Sequence, residues 1–349
     1  MLIQLLILFT TQYAIRSLTF RVNLQEIPYG TILTLPPIEF DLSLVPSLVC
    51  LLELTMRLAV EYVRRMKGRA QAHLMRCDDD SYCVVKFQNN PQHLRTLANE
   101  MFATRIAARM GICVPEVDVV EVRSSLIEHT PELVMQISTG RPTCAAGRQF
   151  GSKFPGNPST MTVYDLLPDE LLNRVQNIDD FLGIFVFDKW MCQTQTRQAI
   201  FFRQFGSGAN GTSDRGYQAM MIDHGFCFNG GDWNFPDAPL RSLYANRNVY
   251  RSVVGIESFD PWLDRLETGL SLSALHDEAM QVPPEWYAED HEAWEGLIER
   301  LYVRRTRVRE LIWSARNVVC DAFPNWNKFI CPMSATKTIP GATKQILTY

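Results

Sequence analysis

Several kinds of chemistry are missing from this sequence, and each absence narrows what it encodes. It has no C-x-x-C pair and no histidine pair at metal-ligand spacing, which removes the usual zinc sites. It has no Walker loop, because its glycine-rich stretch Gly206 to Gly211 reads as the turn of a hairpin and not as a strand-to-helix junction. No Gly-x-Ser-x-Gly elbow is present for a hydrolase nucleophile. The formal net charge is -4, so no global basic field points to nucleic acid. A clean apolar run of about 20 residues, enough to span a membrane, is also lacking. Met1 to Phe9 has no basic flank before it, and Leu42 to Val60 is broken by Pro46, Glu53 and Arg57. Membrane insertion is therefore not expected, and a membrane-tethered form would rest on the leading apolar segment alone. No internal repeat or low-complexity tract occurs. The cysteines are odd in number and scattered, which predicts reduced thiols packed in a core and a cytoplasmic protein.

What remains is an ordinary globular composition on 349 residues, enough for two domains or one two-lobed enzyme. The organised pattern begins near Met56. Residues 1–55 read as an atypical N-terminal extension and residues 327–349 as a poorly ordered tail. Leu58 to Val63, Gln71 to Arg76 and Tyr82 to Phe87 read as three consecutive antiparallel strands, with turns at Lys67-Gly68 and at Asp78 to Ser81. A helix follows, capped by Asn89 or Asn90 with Pro91 at its first position and stopped by Gly111. Val114 to Val122 and Glu132 to Ile137 are further strand candidates. Ser138 to Thr160, rich in Gly, Pro and Ser, reads as a linker. Asn177 caps an apolar helix that runs to Phe187, and Ala199 to Arg203 with Tyr217 to Asp223 form a hairpin. From Pro239 onward the pattern is mainly helical, with the basic group Arg304, Arg305, Arg307 and Arg309 reading as a solvated face. The fold class is α+β: a small sheet-plus-helix part over 56–137, then a linker and a mainly helical part over 138–326.

Phosphoryl transfer needs positioning and charge neutralisation more than covalent chemistry. Its parts are a strand lysine for the phosphates, a helix carboxylate to steady it, a polar loop for the acceptor and a carboxylate for a metal. Lys86 lies in the apolar strand Val84-Val85-Lys86-Phe87, where a charge is costly unless paired. Glu100 sits mid-helix. An outward lysine or an exposed glutamate would each be unremarkable alone, but together they fit a lysine–glutamate pair. Asp223 ends an apolar strand ahead of His224-Gly225, where a carboxylate can reach a divalent ion. A simple turn aspartate is the competing reading. The segment Asp188 to Gln198 supplies polar groups just before the hairpin. Asp188 stands at a helix C-terminus, an unfavourable place for a carboxylate. Trp190 reads as core.

These stretches resemble the HipA-like kinase domain family, a bacterial branch of the protein-kinase-like fold. The likeness runs through Lys67 to His73, Val84 to Pro91, Leu97 to Glu100, Phe187 to Trp190, Arg197 to Phe201 and Met221 to Phe228, and continues to about Trp326. The resemblance implies a two-lobed kinase-like fold, with ATP and Mg2+ as cofactors. Gly68 would lie in the phosphate loop, Lys86 would contact the phosphates, Glu100 would steady it and Asp223 would bind magnesium. Where the family carries Asn and then Asp or Asn, this chain has Gln193 and Gln195. Gln193 is thus a candidate metal ligand without charge, and Asp188 is the carboxylate left to orient the acceptor. The expected activity is transfer to a protein serine or threonine hydroxyl, with a small-molecule acceptor left open. The alternative is a pseudokinase, a nucleotide-binding regulatory module without turnover.

Overall fold

The computed structural model describes residues 56–318 and 322–326, apart from 209, 210 and 240. The expectations for residues 1–55 and 327–349 lie outside them. Strands β1 (Arg57–Arg65), β2 (His73–Cys77) and β3 (Tyr82–Lys86) pair antiparallel in sequence order. Asp80, at φ +60°, turns the chain between β2 and β3. With β4 (Val117–Val122) and β5 (Gly147–Lys153) they form a barrel in the order β1-β2-β3-β5-β4. A short parallel pairing, Arg57 with Val120 and Leu58 with Glu121, closes it.

Two expectations fail in this part. The supposed linker contains β5, so the barrel runs on to Lys153, past a boundary at 137. Gly151 marks close packing between strands: a Cβ there would stand 2.4 Å from a methyl of Val120 on β4. Conversely, Glu132 to Ile137 is no strand. It makes only isolated bridges, Val134 with Thr143 and Ile137 with Gly140, although Leu133 and Met135 are buried in the barrel core.

Helix α1 (Arg95–Arg109) starts later than its capping signals suggest. Asn90 is used in a turn, donating to Phe87 O at 2.8 Å and accepting from Gln92 N at 2.9 Å, which takes it out of the helix. Gly111 does end the helix, at φ +78°. Most of α1 is buried, which a helix needs partners on several sides to achieve. Barrel residues such as Met75, Val85 and Val122 form one core. A larger core takes in α1 and much of the described chain beyond the barrel, including Phe102, Phe185, Trp190, Trp286 and Ile298.

Helix α2 (Asp180–Trp190) is apolar from Phe181 to Phe187 and buried throughout after its first residue. Gly183 lets Trp262 lie against it, since a Cβ there would stand 2.6 Å from the indole. Asn177 does not simply cap α2. It donates to Asp180 Oδ2 at 2.7 Å and exchanges two hydrogen bonds with Ala219, joining the helix to strand β8 (Gly211–Ile222). Strand β8 pairs with β7 (Gln198–Gly208) from Gln198↔Ile222 onward, so the hairpin extends through the stretch expected as its loop. Strand β6 (Val163–Tyr164) adds to β7. Helices α3 (Asp260–Gly269), α4 (Leu272–Ala279), α5 (His291–Arg304) and α6 (Val308–Val318) follow the hairpin. Glu278 of α4 bonds Arg105 and Arg109 of α1. The described cysteines are free thiols, all buried except the half-buried Cys113. Among the described residues no helix is long and apolar enough to cross a membrane.

Candidate active site

Alternation along β3 turns Cys83 and Val85 into the barrel and leaves Lys86 on the opposite face. Its ammonium meets two carboxylates. It bonds Glu100 Oε1 of α1 and, at 2.9 Å, Asp223 Oδ1 just beyond β8. Glu100 is held from behind, its Oε2 accepting the backbone N–H of His224 at 3.0 Å. Asp223 stands at φ +64°, a left-handed conformation that costs an L-residue energy and aims its side chain at Lys86. Its Oδ2 accepts from Gln198 Nε2 at 2.8 Å, and its backbone oxygen accepts from Gln193 Nε2 at 3.0 Å.

Burial disfavours charge on all three groups, and the pairings decide the outcome. For Asp223 burial pushes the pKa up, but the Lys86 ammonium and the hydrogen bonds bring it down to about 2. For Glu100 burial prevails over Lys86, helped by repulsion from Asp223, so its pKa is raised. Lys86 also loses hydration, yet the two carboxylates outweigh this and raise its pKa. One ammonium faces two carboxylates, and Asp223, whose side chain is 23% exposed, is the one open to solvent.

Asp188 departs from its expected role. It is 1% exposed, and both its oxygens are taken by Arg197, Nε at 2.8 Å and Nη2 on the other oxygen. Burial raises its pKa, with Arg197 opposing. Arg197 Nη1 also donates to Ile222 O at 2.6 Å, so the pair fastens α2 to the residue before Asp223. An ion pair of this kind answers why a carboxylate stands at the end of α2. Gln193 is likewise committed, its Nε2 to Asp223 O and its Oε1 to the Gln195 N–H at 3.3 Å. It reaches the backbone of Asp223 and leaves the carboxylate to Gln198. Gly68 lies in the β1–β2 turn at φ +124°, a conformation suited to glycine, and no hydrogen bond joins it to the Lys86 cluster among the described residues.

Two residues at this site carry signals that are easy to pass over. Gln198, exposed at the start of β7, is the side chain bonded to the second oxygen of Asp223. Asn99, fully buried beside Glu100, donates to the carbonyls of Gly225, Cys227 and Gly230 and accepts from Trp233 Nε1 at 2.9 Å. It fixes the segment after Asp223 to α1. Its only sequence signal is adjacency to Glu100. The fully buried Trp190 is core, as expected, with its Nε1 on Leu301 O at 2.8 Å.

The oxygen ligand that this cluster offers is the Asp223 carboxylate, a hard donor suited to a magnesium-like ion that completes its shell with phosphate oxygens and water. A cage made by protein alone is not formed, since no group of three or more His, Cys, Asp or Glu that could hold a metal occurs among the described residues. A strand lysine, a helix glutamate and an aspartate after a hairpin thus converge. A family model described as HipA-like kinase matches residues 59–310. The chain belongs to the HipA-like kinase family. Its fold is accordingly α+β and kinase-like, and its family chemistry is phosphotransfer. Among solved structures, the chain is similar to the Golgi casein kinase with Mn and ADP bound, at 10% identity, over 83% of this chain and 81% of that one, with TM-score 0.43. A second structure of the Golgi casein kinase is 12% identical over 83% and 79%, also at 0.43. The Helicobacter pylori proinflammatory kinase CtkA is 14% identical over 71% of this chain and 95% of that one, at 0.39. No curated protein matches the chain.

Proposed function

We propose that the chain binds ATP with Mg2+ and transfers the terminal phosphoryl group, with a protein serine or threonine hydroxyl as acceptor. The observation that supports this is Lys86 held between Glu100 and Asp223. Lys86 is steadied by Glu100 and positioned for phosphate oxygens, while the Asp223 carboxylate, oriented by Gln198, would supply oxygen ligands for the metal. Such an ion neutralises charge spread over the transferred group. The rest of the task is orientation, which Arg197, Gln193 and Asn99 serve by fixing the chain on either side of Asp223.

A second reading is favoured by the burial of Asp188. No carboxylate remains on the segment Gln193 to Gln198 to accept the proton of an incoming hydroxyl, so the chain would hold nucleotide and signal through a partner without turnover. The purified full chain with labelled ATP and Mg2+ separates the two. Transfer that is lost in Lys86→Ala and Asp223→Ala, and raised about tenfold or more in Gln195→Asp, supports the kinase. Nucleotide binding that Lys86→Ala abolishes, with no transfer by the unmodified chain, supports the module. Absence of nucleotide binding would sink both.

A further inference from the structure

A cavity of about 250 Å³ opens beneath the Gln193 segment, between the end of α2, the stretch 236–242 and helices α5 and α6. It is smaller than the roughly 300–1,000 Å³ that holds a drug-sized ligand, and so suits one compact group. Four cationic side chains line it: Lys189, Arg241, Arg304 and Arg307. Its carboxylates are fewer. Asp188 gives both oxygens to Arg197, which leaves Asp237 and Glu310.

The cations are also poorly matched by those two. Lys189 is 5% exposed, yet its ammonium donates to backbone carbonyls, Pro239 O at 2.9 Å and Arg241 O at 2.8 Å, with no carboxylate in ion-pair range among the described residues. Burial brings its pKa down to about 8. Asp237 is divided between Arg304 at 2.6 Å and Arg307 at 3.3 Å, and Glu310 reaches Arg307 only at 3.8 Å. Arg241 is exposed and has no side-chain partner among the described residues. Arg304 is fixed in advance by Trp190 O and Lys189 O, so little order remains to be gained when a ligand arrives. A concave site with two surplus positive charges and prearranged guanidinium groups is built for a compact anion.

We propose that this cavity binds a phosphate group, carried either by a small phosphorylated compound or by a phosphorylated side chain. Titration calorimetry on the full chain with inorganic phosphate, a phosphoserine peptide and its unphosphorylated counterpart tests this. Phosphate should bind in the millimolar range. Arg241→Ala and Arg307→Ala should each weaken it by about tenfold. Glu310→Gln, an exposed change that removes a competing carboxylate, should tighten it and needs no arginine to be removed. Lys86→Ala should leave it intact, which separates this cavity from the candidate nucleotide site. A phosphopeptide that binds at least about tenfold tighter than phosphate, with the same dependence on Arg241, identifies a phosphorylated side chain as the ligand. Equal affinities identify a small phosphorylated compound. Phosphate binding lost in Lys86→Ala, or unchanged in both arginine variants and in Glu310→Gln, overturns the proposal.

Discussion

Gly225 sits against Glu100 so closely that a Cβ would stand 3.0 Å from its Oε1, and the carboxylate would have to give way. Gly225→Ala should therefore disturb the Lys86–Glu100 pair and weaken nucleotide binding by about tenfold, measured by calorimetry against the unmodified chain. Unchanged affinity would show that Glu100 does not position Lys86. A second residue-scale effect concerns acid. His73 is fully buried on β2, where burial, then Arg65, lower its pKa to about 4. Between its ordinary value and about 4 the unfolded chain binds the proton and the folded chain does not, so stability falls as pH falls across that window. The total is on the order of 3 kcal/mol. His224, buried and also depressed, acts in the same direction. Urea midpoints should drop from pH 7 to pH 5 and drop less in His73→Asn; equal drops would refute the assignment.

The Asp188–Arg197 pair joins α2 to the end of β8, and neither partner can lose the other without leaving a buried charge. Either Asp188→Ala or Arg197→Ala should cost about 3–5 kcal/mol, whereas Asp188→Asn with Arg197→Met should recover much of it. Urea denaturation of the three variants reads this directly, and additive losses would show that the two side chains do not act as a pair. The same pair shows where sequence reasoning stops. The three early strands, the helix carrying Glu100 and the hairpin before Asp223 are legible because alternation, helical spacing and turn residues are local signals. So is the Lys86–Glu100–Asp223 set, since a lysine in an apolar strand demands a partner. Strand β5 was hidden because glycine needed for close strand packing reads as loop. The pairing of Asp188 is not legible because its partner lies nine residues on, across a turn that only the folded chain defines. Arg304, expected on a solvated face, is 7% exposed because α5 turns it onto Trp190 O and Lys189 O.

Across the described chain, α1 ties the barrel to the helices, with Lys86 bonded to its Glu100 and its own Arg105 and Arg109 bonded to Glu278. A ligand bound between Lys86 and Asp223 thus bears on residues from both parts. Mg-ATP at about 100 times its dissociation constant should stabilise the folded chain by roughly 2.7 kcal/mol and raise the melting temperature; Lys86→Ala should abolish the rise. A rise retained in that variant would place the nucleotide elsewhere. The barrel itself is unevenly sealed. Strands β4 and β5 pair along their whole length, from Val117↔Ser152 to Val122↔Gly147, while β1 meets β4 only at Arg57↔Val120 and Leu58↔Glu121. Local opening is easiest where the fewest contacts must break, so amide protons along the β1–β4 seam should exchange with solvent ahead of those between β4 and β5. Opening of the barrel should therefore begin on the side away from β3, leaving the strand that carries Lys86 with both its neighbours, β2 and β5.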